Sequence, residues 1–211
     1  MKKTLVFLVV ILSLTCKNEK KGDTKADTIE TKKELVITTI NIPDFTTWGK
    51  IRINLEEKVI NGGAENTFLL SRATVTESSF AHSRDIAVNY ESSYRASIIV
   101  KKSESNSFFG LRVVGSYPDR VDAIFDLETG SVKEVKKERD FKNPKATIES
   151  IGNGWYKCSV MAEPYADKIK IMFGPTIEGK PVLIWEGTID KQSEVYIMPS
   201  SLTLEEITER Y

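Results

Sequence analysis

The side chains with the clearest binding chemistry are two arginines, two lysines, an aspartate and a tryptophan on strand-like segments. They are Arg95, Arg112, Asp122, Trp155, Lys157 and Lys170. A guanidinium can hold a carboxylate or sulfate through two parallel hydrogen bonds, and an indole plane can stack on a sugar ring. Because all six fall on the non-core side of their segments, we predict one basic sheet face that binds a polysaccharide, with an anionic one as a candidate. Ordinary charges on a solvated sheet would give the same pattern.

Catalytic groupings are sparse. Asp122 and Asp126 share one side of a single predicted strand, which separates them by roughly 13 Å. Glycosidases need two carboxyls roughly 5.5 Å or up to roughly 9.5 Å apart, so another strand would have to supply a partner. His82 lies in the polar segment 80–84, which we predict to be a loop. With no zinc-protease, serine-hydrolase or nucleotide-binding fingerprint, we predict a non-catalytic protein and keep a polysaccharide lyase or glycosidase as the less favoured alternative.

Composition narrows the choice of partner. The chain has 211 residues, 40% of them hydrophobic and 28% charged, which is typical of a globular protein with a core. Thirty basic and thirty acidic residues give no net charge, which disfavours a nucleic-acid partner. One histidine and two cysteines leave little material for a zinc site or a disulfide framework. From Glu34 onward, 22 basic residues face 26 acidic ones, so an anionic ligand would require Arg95, Arg112, Lys157 and Lys170 to cluster.

The N-terminal segment has the pattern of a secretion signal. Met1–Lys3 is basic, the apolar run Leu5–Leu14 is too short to span a bilayer, and Cys16 follows it. The segment Leu12–Cys16 resembles a bacterial lipobox, in which cleavage precedes a cysteine whose sulfur receives a diacylglycerol. We predict a signal peptide at 1–15, lipidation of Cys16, and a lipid-anchored outer-membrane protein at the cell surface. A plain signal peptide with an incidental cysteine is the alternative.

The segment 16–33 carries many charges and almost no apolar residues, so we predict a flexible charged tether. Its beginning, Lys17–Lys21, resembles the tether that directs Bacteroidetes lipoproteins to the cell exterior. The folded domain is then predicted at 34–211.

From Glu34 onward, apolar and polar residues alternate with a period of two in short runs separated by turn residues. The predicted strands are Leu35–Ile40, Lys50–Leu55, Thr67–Thr76, Tyr94–Lys101, Phe108–Val114, Val121–Leu127, Ala146–Ile151, Trp155–Met161, Lys168–Phe173, Val182–Ile189, Val195–Met198 and Leu202–Ile207. No stretch has the pattern of an amphipathic helix over ten residues. We therefore predict an all-β fold, a two-sheet antiparallel jelly-roll sandwich. Cys158 falls in the apolar set of its strand and is predicted to be a buried free thiol.

Two motifs add a family resemblance. Phe125–Gly130 reads Phe-Asp-Leu-Glu-Thr-Gly, and Gly152–Cys158 reads Gly-Asn-Gly-Trp-Tyr-Lys-Cys. With the strand Tyr94–Lys101 and the closing Gly174-Pro175, they resemble a jelly-roll module of phage tail proteins and of bacterial surface and polysaccharide-degrading proteins. The resemblance covers Tyr94 to Pro175 and implies a concanavalin-A-like fold associated with carbohydrate binding. Lys157 stands where the family has an arginine.

The resemblance leaves the ligand and several roles open. Such sandwiches often hold a structural calcium ion, but no run of ligands with loop spacing is present, so we place no calcium site. Asn153-Gly154 and Thr129-Gly130 are strong turn signals, and Trp155 is either a stacking platform or a packed side chain. The partner is predicted to be a polysaccharide, with other glycan-uptake proteins of the surface as further candidates. A protein-interaction subunit of an outer-membrane complex is the alternative function.

Overall fold

Alternating apolar and polar residues build a two-sheet sandwich with its core between the sheets. The computed structural model of the protein describes residues 34–60, 66–72, 77–90 and 92–210. The predicted signal peptide, Cys16 and the predicted tether lie outside the described residues. In the described part, the secondary structure consists of strands and two short 3₁₀ turns, Phe45–Thr47 and Val182–Ile184.

Fourteen strands are described. They are β1 Glu34–Ile40, β2 Gly49–Ile51, β3 Ile53–Lys58, β4 Thr67–Arg72, β5 Phe80–His82, β6 Ile86–Ala87, β7 Ser93–Lys102, β8 Phe108–Val114, β9 Arg120–Asp126, β10 Ser131–Glu138, β11 Lys142–Gly152, β12 Trp155–Glu163, β13 Lys168–Thr176 and β14 Glu194–Arg210. Sheet A has the order β11-β12-β7-β14-β4-β3, with β1 also paired to β14. Sheet B has the order β10-β9-β8-β13-β5-β2, with β6 also paired to β13. All pairings are antiparallel, which confirms the predicted jelly-roll sandwich.

The core is formed by the inward-facing residues of both sheets. Sheet A contributes Ala96, Ile98, Val100, Cys158 and Val160, and sheet B contributes Leu111, Val113, Phe125, Ile171 and Phe173, all fully buried. This set matches the predicted inward side of each strand. Cys158 is a free, buried thiol, as predicted, and burial raises the pKa of its thiol well above the usual value.

Three predicted strands have other boundaries in the structure, at two places where the chain changes its pairing partners. The predicted strand Lys50–Leu55 is divided at Arg52, whose φ of 50° turns the backbone out of the strand. As a result, β2 pairs with β5 in sheet B and β3 pairs with β4 in sheet A. The two predicted strands at the C-terminus are joined into the single strand β14, with a register shift between Met198 and Thr203.

The predicted strand Val182–Ile189 is wrong. These residues belong to the segment 177–193 between β13 and β14, which we call the strap. The strap crosses the outer face of sheet B, the side away from the core, and buries Val182 and Trp185 there in a second apolar cluster. A segment that buries apolar side chains on the outer face of a sheet has the same apolar run as a buried strand. The sequence pattern alone therefore could not distinguish the strap from a strand. Strands β5, β6 and β10 were not predicted.

Gly110 on β8 makes room for the strap. A Cβ atom built on Gly110 would lie 2.3 Å from Trp185 Cδ2, so any side chain there would displace the indole. Gly174 is its direct neighbour across the β8–β13 pairing, and a Cβ there would meet nothing closer than 3.4 Å.

We therefore expect Gly110→Ala to lower the free energy of unfolding by about 1–3 kcal/mol, as overpacking does. Gly174→Ala is the matched control and should unfold at nearly the same denaturant concentration as the wild type. Urea unfolding followed by tryptophan fluorescence measures both. Equal stability of the two variants would show that Trp185 is not held against Gly110.

Candidate functional site

The six candidate ligand-binding residues lie on two opposite faces of the sandwich, so the predicted single face is wrong. Three stand on β7 and β12 of sheet A: Arg95, Trp155 and Lys157. The other three stand on β8, β9 and β13 of sheet B: Arg112, Asp122 and Lys170. The non-core side of each strand was predicted correctly. The assignment of strands to sheets, which decides where that side points, depends on long-range pairing.

Arg112 and Asp122 are buried beneath the strap. Arg112 Nε donates to Asp122 Oδ1 at 2.5 Å, and its two terminal nitrogens donate to the carboxylate of Glu186 at 2.9 and 2.8 Å. Arg112 also donates to the carbonyl of Leu183 in the strap at 3.1 Å. A guanidinium with these partners fastens the strap, and Arg112 is only 2% exposed.

Asp122 is the centre of this cluster. Its Oδ1 also accepts the indole N–H of Trp185 at 2.9 Å, and its Oδ2 accepts from Arg120 Nε at 3.1 Å. Burial raises the pKa of Asp122 to about 6, although the guanidinium groups of Arg112 and Arg120 act to lower it. The residue is therefore a structural carboxylate inside the protein, and no ligand can reach it while the strap is in place.

The predicted basic cluster does not form. Arg95 Nε pairs with Glu205 on the neighbouring strand at 2.7 Å, and Lys170 lies on the opposite sheet within 3.4 Å of Asp85. Lys157 is half-buried on the outer face of sheet A, directly across from Glu149. An anionic ligand would have required these basic side chains to cluster, and they do not.

Trp155 packs rather than presenting a platform. Its side chain is 2% exposed, and Lys101 Nζ lies 5.8 Å from the centroid of its ring. Its indole Nε1 is buried without a hydrogen-bond partner among the described residues. The faces of the indole are therefore closed to a sugar.

An open cleft of about 610 Å³ lies at the same end of the sandwich as Trp155. We call it the motif cleft. The loop 103–107 between β7 and β8 forms one wall, and Glu128 in the turn between β9 and β10 forms another. Its lining includes ammonium, amide, carboxylate, hydroxyl and phenol groups, from Lys101, Lys102, Asn106, Glu128, Tyr196 and three serines. Its volume is that of a typical small-ligand site.

The walls of the motif cleft are held by their own hydrogen bonds. Ser103 Oγ accepts from the backbone N–H groups of Ser105 and Asn106 at 3.2 and 3.1 Å. Asn106 Nδ2 donates to the carbonyl of Phe108 at 2.9 Å, and Lys102 forms an ion pair with Glu128 across the cleft. The polar groups are therefore in place before any ligand arrives, which lowers the entropy that binding must offset.

The two family-like motifs meet beside this cleft. Gly130 ends the first motif with a φ of 63°, and a Cβ there would lie 2.8 Å from Tyr156 of the second. Asn153 and Gly154 both have positive φ, 54° and 75°, as a two-residue type I′ hairpin requires. The motifs are thus parts of one contact, and they shape the end of the sandwich where the cleft opens.

Sequence reasoning missed the residues that line the motif cleft. Lys101 ends the predicted strand Tyr94–Lys101, and Lys102 lies just beyond it. Tyr196 falls on the predicted strand Val195–Met198, and the sequence pattern assigns none of the three a binding role. The run Ser103–Ser107 is a polar loop between two predicted strands, and loops are where binding groups concentrate. That signal was present, but nothing in the sequence showed that Glu128 lies opposite it.

The residues weighed for catalysis have structural partners. Asp126 Oδ1 accepts from the backbone N–H groups of Glu128 and Thr129 at 2.9 and 3.3 Å. Burial acts to raise the pKa of Asp126, but these bonds and Lys133 outweigh it and lower the pKa. His82 lies on strand β5, so the prediction that it lies in a loop is wrong. Its ring fills the space beside Gly49.

Within the described ranges, no group of three or more His, Cys, Asp or Glu residues could hold a metal ion. No helix of the described part is long and apolar enough to cross a membrane. No known protein family matches the chain, and no curated protein matches it.

The position of Asp122 predicts an unusual titration. Its folded pKa near 6 lies above the usual value of about 3.9, so between these pH values the native state binds a proton that the unfolded chain releases. The contribution of Asp122 to the free energy of unfolding therefore falls as the pH rises through this window, by about 3 kcal/mol at most. Carboxyl-detected ¹³C NMR should give a midpoint near pH 6 for Asp122 and below the usual value for Asp126. A midpoint below pH 4 for Asp122 would contradict the dominance of burial.

Proposed function

We propose that this protein is a non-catalytic, lipid-anchored module of the cell surface that binds a polysaccharide in the motif cleft. The observation that carries the proposal is one open, pre-ordered cleft that is lined by polar groups and Tyr196, includes Glu128 of the first motif, and opens beside the contact between the two motifs. A sugar needs a flat apolar surface for its C–H face and fixed donors and acceptors for its hydroxyls. The motif cleft offers a phenol ring, an amide, an ammonium group and hydroxyls within one lining.

The charges of the cleft favour a neutral glycan over an anionic one. Lys102 is paired with Glu128, and Glu104 also lines the cleft, so the ammonium groups are matched by carboxylates. The folded domain as a whole has an excess of acidic residues, which repels a polyanion. The anionic ligand predicted as a candidate from the sequence depended on a basic cluster, and that cluster does not form.

Affinity gel electrophoresis on neutral and anionic polysaccharides tests the ligand class. We expect a neutral polysaccharide to retard the full chain and an anionic one to have less effect at low salt. Retardation by anionic polysaccharides alone would reverse the choice of ligand. If no polysaccharide retards the protein while a stoichiometric protein partner is recovered from native outer membranes, the interaction-subunit function replaces this proposal.

A pair of lysine variants tests the place of binding. Lys101→Gln removes an ammonium group from the motif cleft, and Lys170→Gln makes the same change on the opposite sheet. Loss of a charged hydrogen bond should weaken polysaccharide binding roughly tenfold or more for Lys101→Gln. Lys170→Gln should bind like the wild type, and thermal unfolding of both variants checks that the fold is retained. Equal loss in both variants would place the ligand elsewhere.

The lipid anchor has its own test. Metabolic labelling of cells with an alkyne fatty acid should mark the wild type, because a lipidated cysteine carries acyl chains. Cys16→Ser should lose the label and leave the membrane fraction, while Cys158→Ser should keep both. Labelling that survives in Cys16→Ser, or is missing in the wild type, would remove the anchor from the proposal.

A further inference from the structure

Three exposed tyrosines stand at the end of the sandwich opposite the motif cleft. Tyr90, Tyr117 and Tyr165 are 57%, 77% and 65% exposed, and each lies in a different loop. The strand β7 separates this end from the motif cleft by about 30 Å, at roughly 3.3 Å per residue. Binding residues concentrate in loops, and exposed apolar groups that lie together mark interaction sites.

Two of these rings form the sides of a second cavity, which we call the tyrosine cleft. Tyr90 and Tyr165 meet edge to face, with ring centroids 6.0 Å apart and planes at 73°. The cavity has a volume of about 280 Å³ and is also lined by Asp140, Lys142 and Glu163. This volume is at the lower limit for a small-ligand site and suits one ring rather than a chain.

The backbone fixes the two rings relative to each other. The loop with Tyr90 follows β6 and the loop with Tyr165 precedes β13, and these strands pair with each other. The pairing continues into the loops, where Val88 N donates to the carbonyl of Asp167 at 2.9 Å. Directly before Tyr90 in the chain, Asn89 N donates to Tyr94 Oη at 2.7 Å. The rings therefore stand on a pre-ordered frame, as a stacking site requires.

The polar groups of the tyrosine cleft decide the charge of its ligand. Asp140 and Glu163 supply two carboxylates against the single ammonium group of Lys142. Glu163 is held in place by Ser93 Oγ at 3.1 Å and Asn143 Nδ2 at 2.7 Å, both on its Oε1 atom. Carboxylates accept hydrogen bonds from hydroxyl groups, and a net negative lining repels a uronate or a sulfate.

We infer that the tyrosine cleft is a second binding site, separate from the motif cleft, for a single neutral pyranose ring. The ring stacks its C–H face on one of the two tyrosines while its hydroxyls donate to Asp140 and Glu163. This site does not depend on the motif cleft, since the two share no residue. A glycan that engages both sites would bind more tightly than either site allows, because the second contact forms within one complex.

NMR on the full chain with ¹³C-labelled tyrosine rings tests the inference. Methyl glucoside, methyl galactoside and methyl mannoside are the probes, and glucuronate is the anionic comparison. At least one neutral probe should shift the Tyr90 and Tyr165 signals saturably in the millimolar range, and glucuronate should not. Shifts confined to Tyr196 would overturn the second site while supporting the motif cleft. Shifts at Tyr90 and Tyr165 without any at Tyr196 would support the second site alone.

Matched variants separate stacking from general effects. Tyr165→Ala and Tyr90→Ala should each remove the saturable shift of the remaining cleft tyrosine. Tyr117→Ala removes an exposed tyrosine from the same end but outside the cleft, and it should leave binding unchanged. Asp140→Asn should weaken a neutral probe several-fold and reduce the discrimination against glucuronate. The assignment would be refuted if binding survives in each of the two variants Tyr165→Ala and Tyr90→Ala. It would also be refuted if the wild type binds glucuronate as well as it binds the neutral probes.

Discussion

The architecture depends on one buried carboxylate. Asp122 receives hydrogen bonds from two guanidinium groups and one indole, and these donors belong to three separate segments of the chain. Without partners, a charge at this depth would cost several kcal/mol, so Asp122 couples the position of the strap to that of β8 and β9. The strap is held over sheet B by this cluster. One outer face of the sandwich is therefore filled by the protein itself, and the cavities open at its two ends.

The fold was largely predictable because alternation is a local property. The inward side of β7 follows from Ala96, Ile98 and Val100, and the hairpin before Trp155 follows from Asn153-Gly154. Errors arose where one pattern fits two structures. The apolar strap has the composition of a buried strand, and β10 has too few apolar residues to be recognised as one.

The candidate site was predictable only in its parts. Lys157 and Arg112 are both basic residues on the non-core side of a strand, yet one is at a surface and the other is in a buried ion cluster. The difference lies in which sheet each strand joins and in what covers that sheet, and neither is encoded near the residue. The motifs were more informative, because Gly130 and Tyr156 are in contact and so mark one end of the sandwich.

The pairing of the first strand shows at which end of the sandwich the chain enters the domain. Glu34 pairs with Arg210 beyond the point where Ile207 pairs with Ser93, so the chain enters the domain at the end that carries the exposed tyrosines. Any anchor on the preceding segment therefore attaches at that end. The motif cleft lies at the opposite end of the sandwich, about 30 Å away along β7, so an anchor of this kind would leave its opening away from the point of attachment.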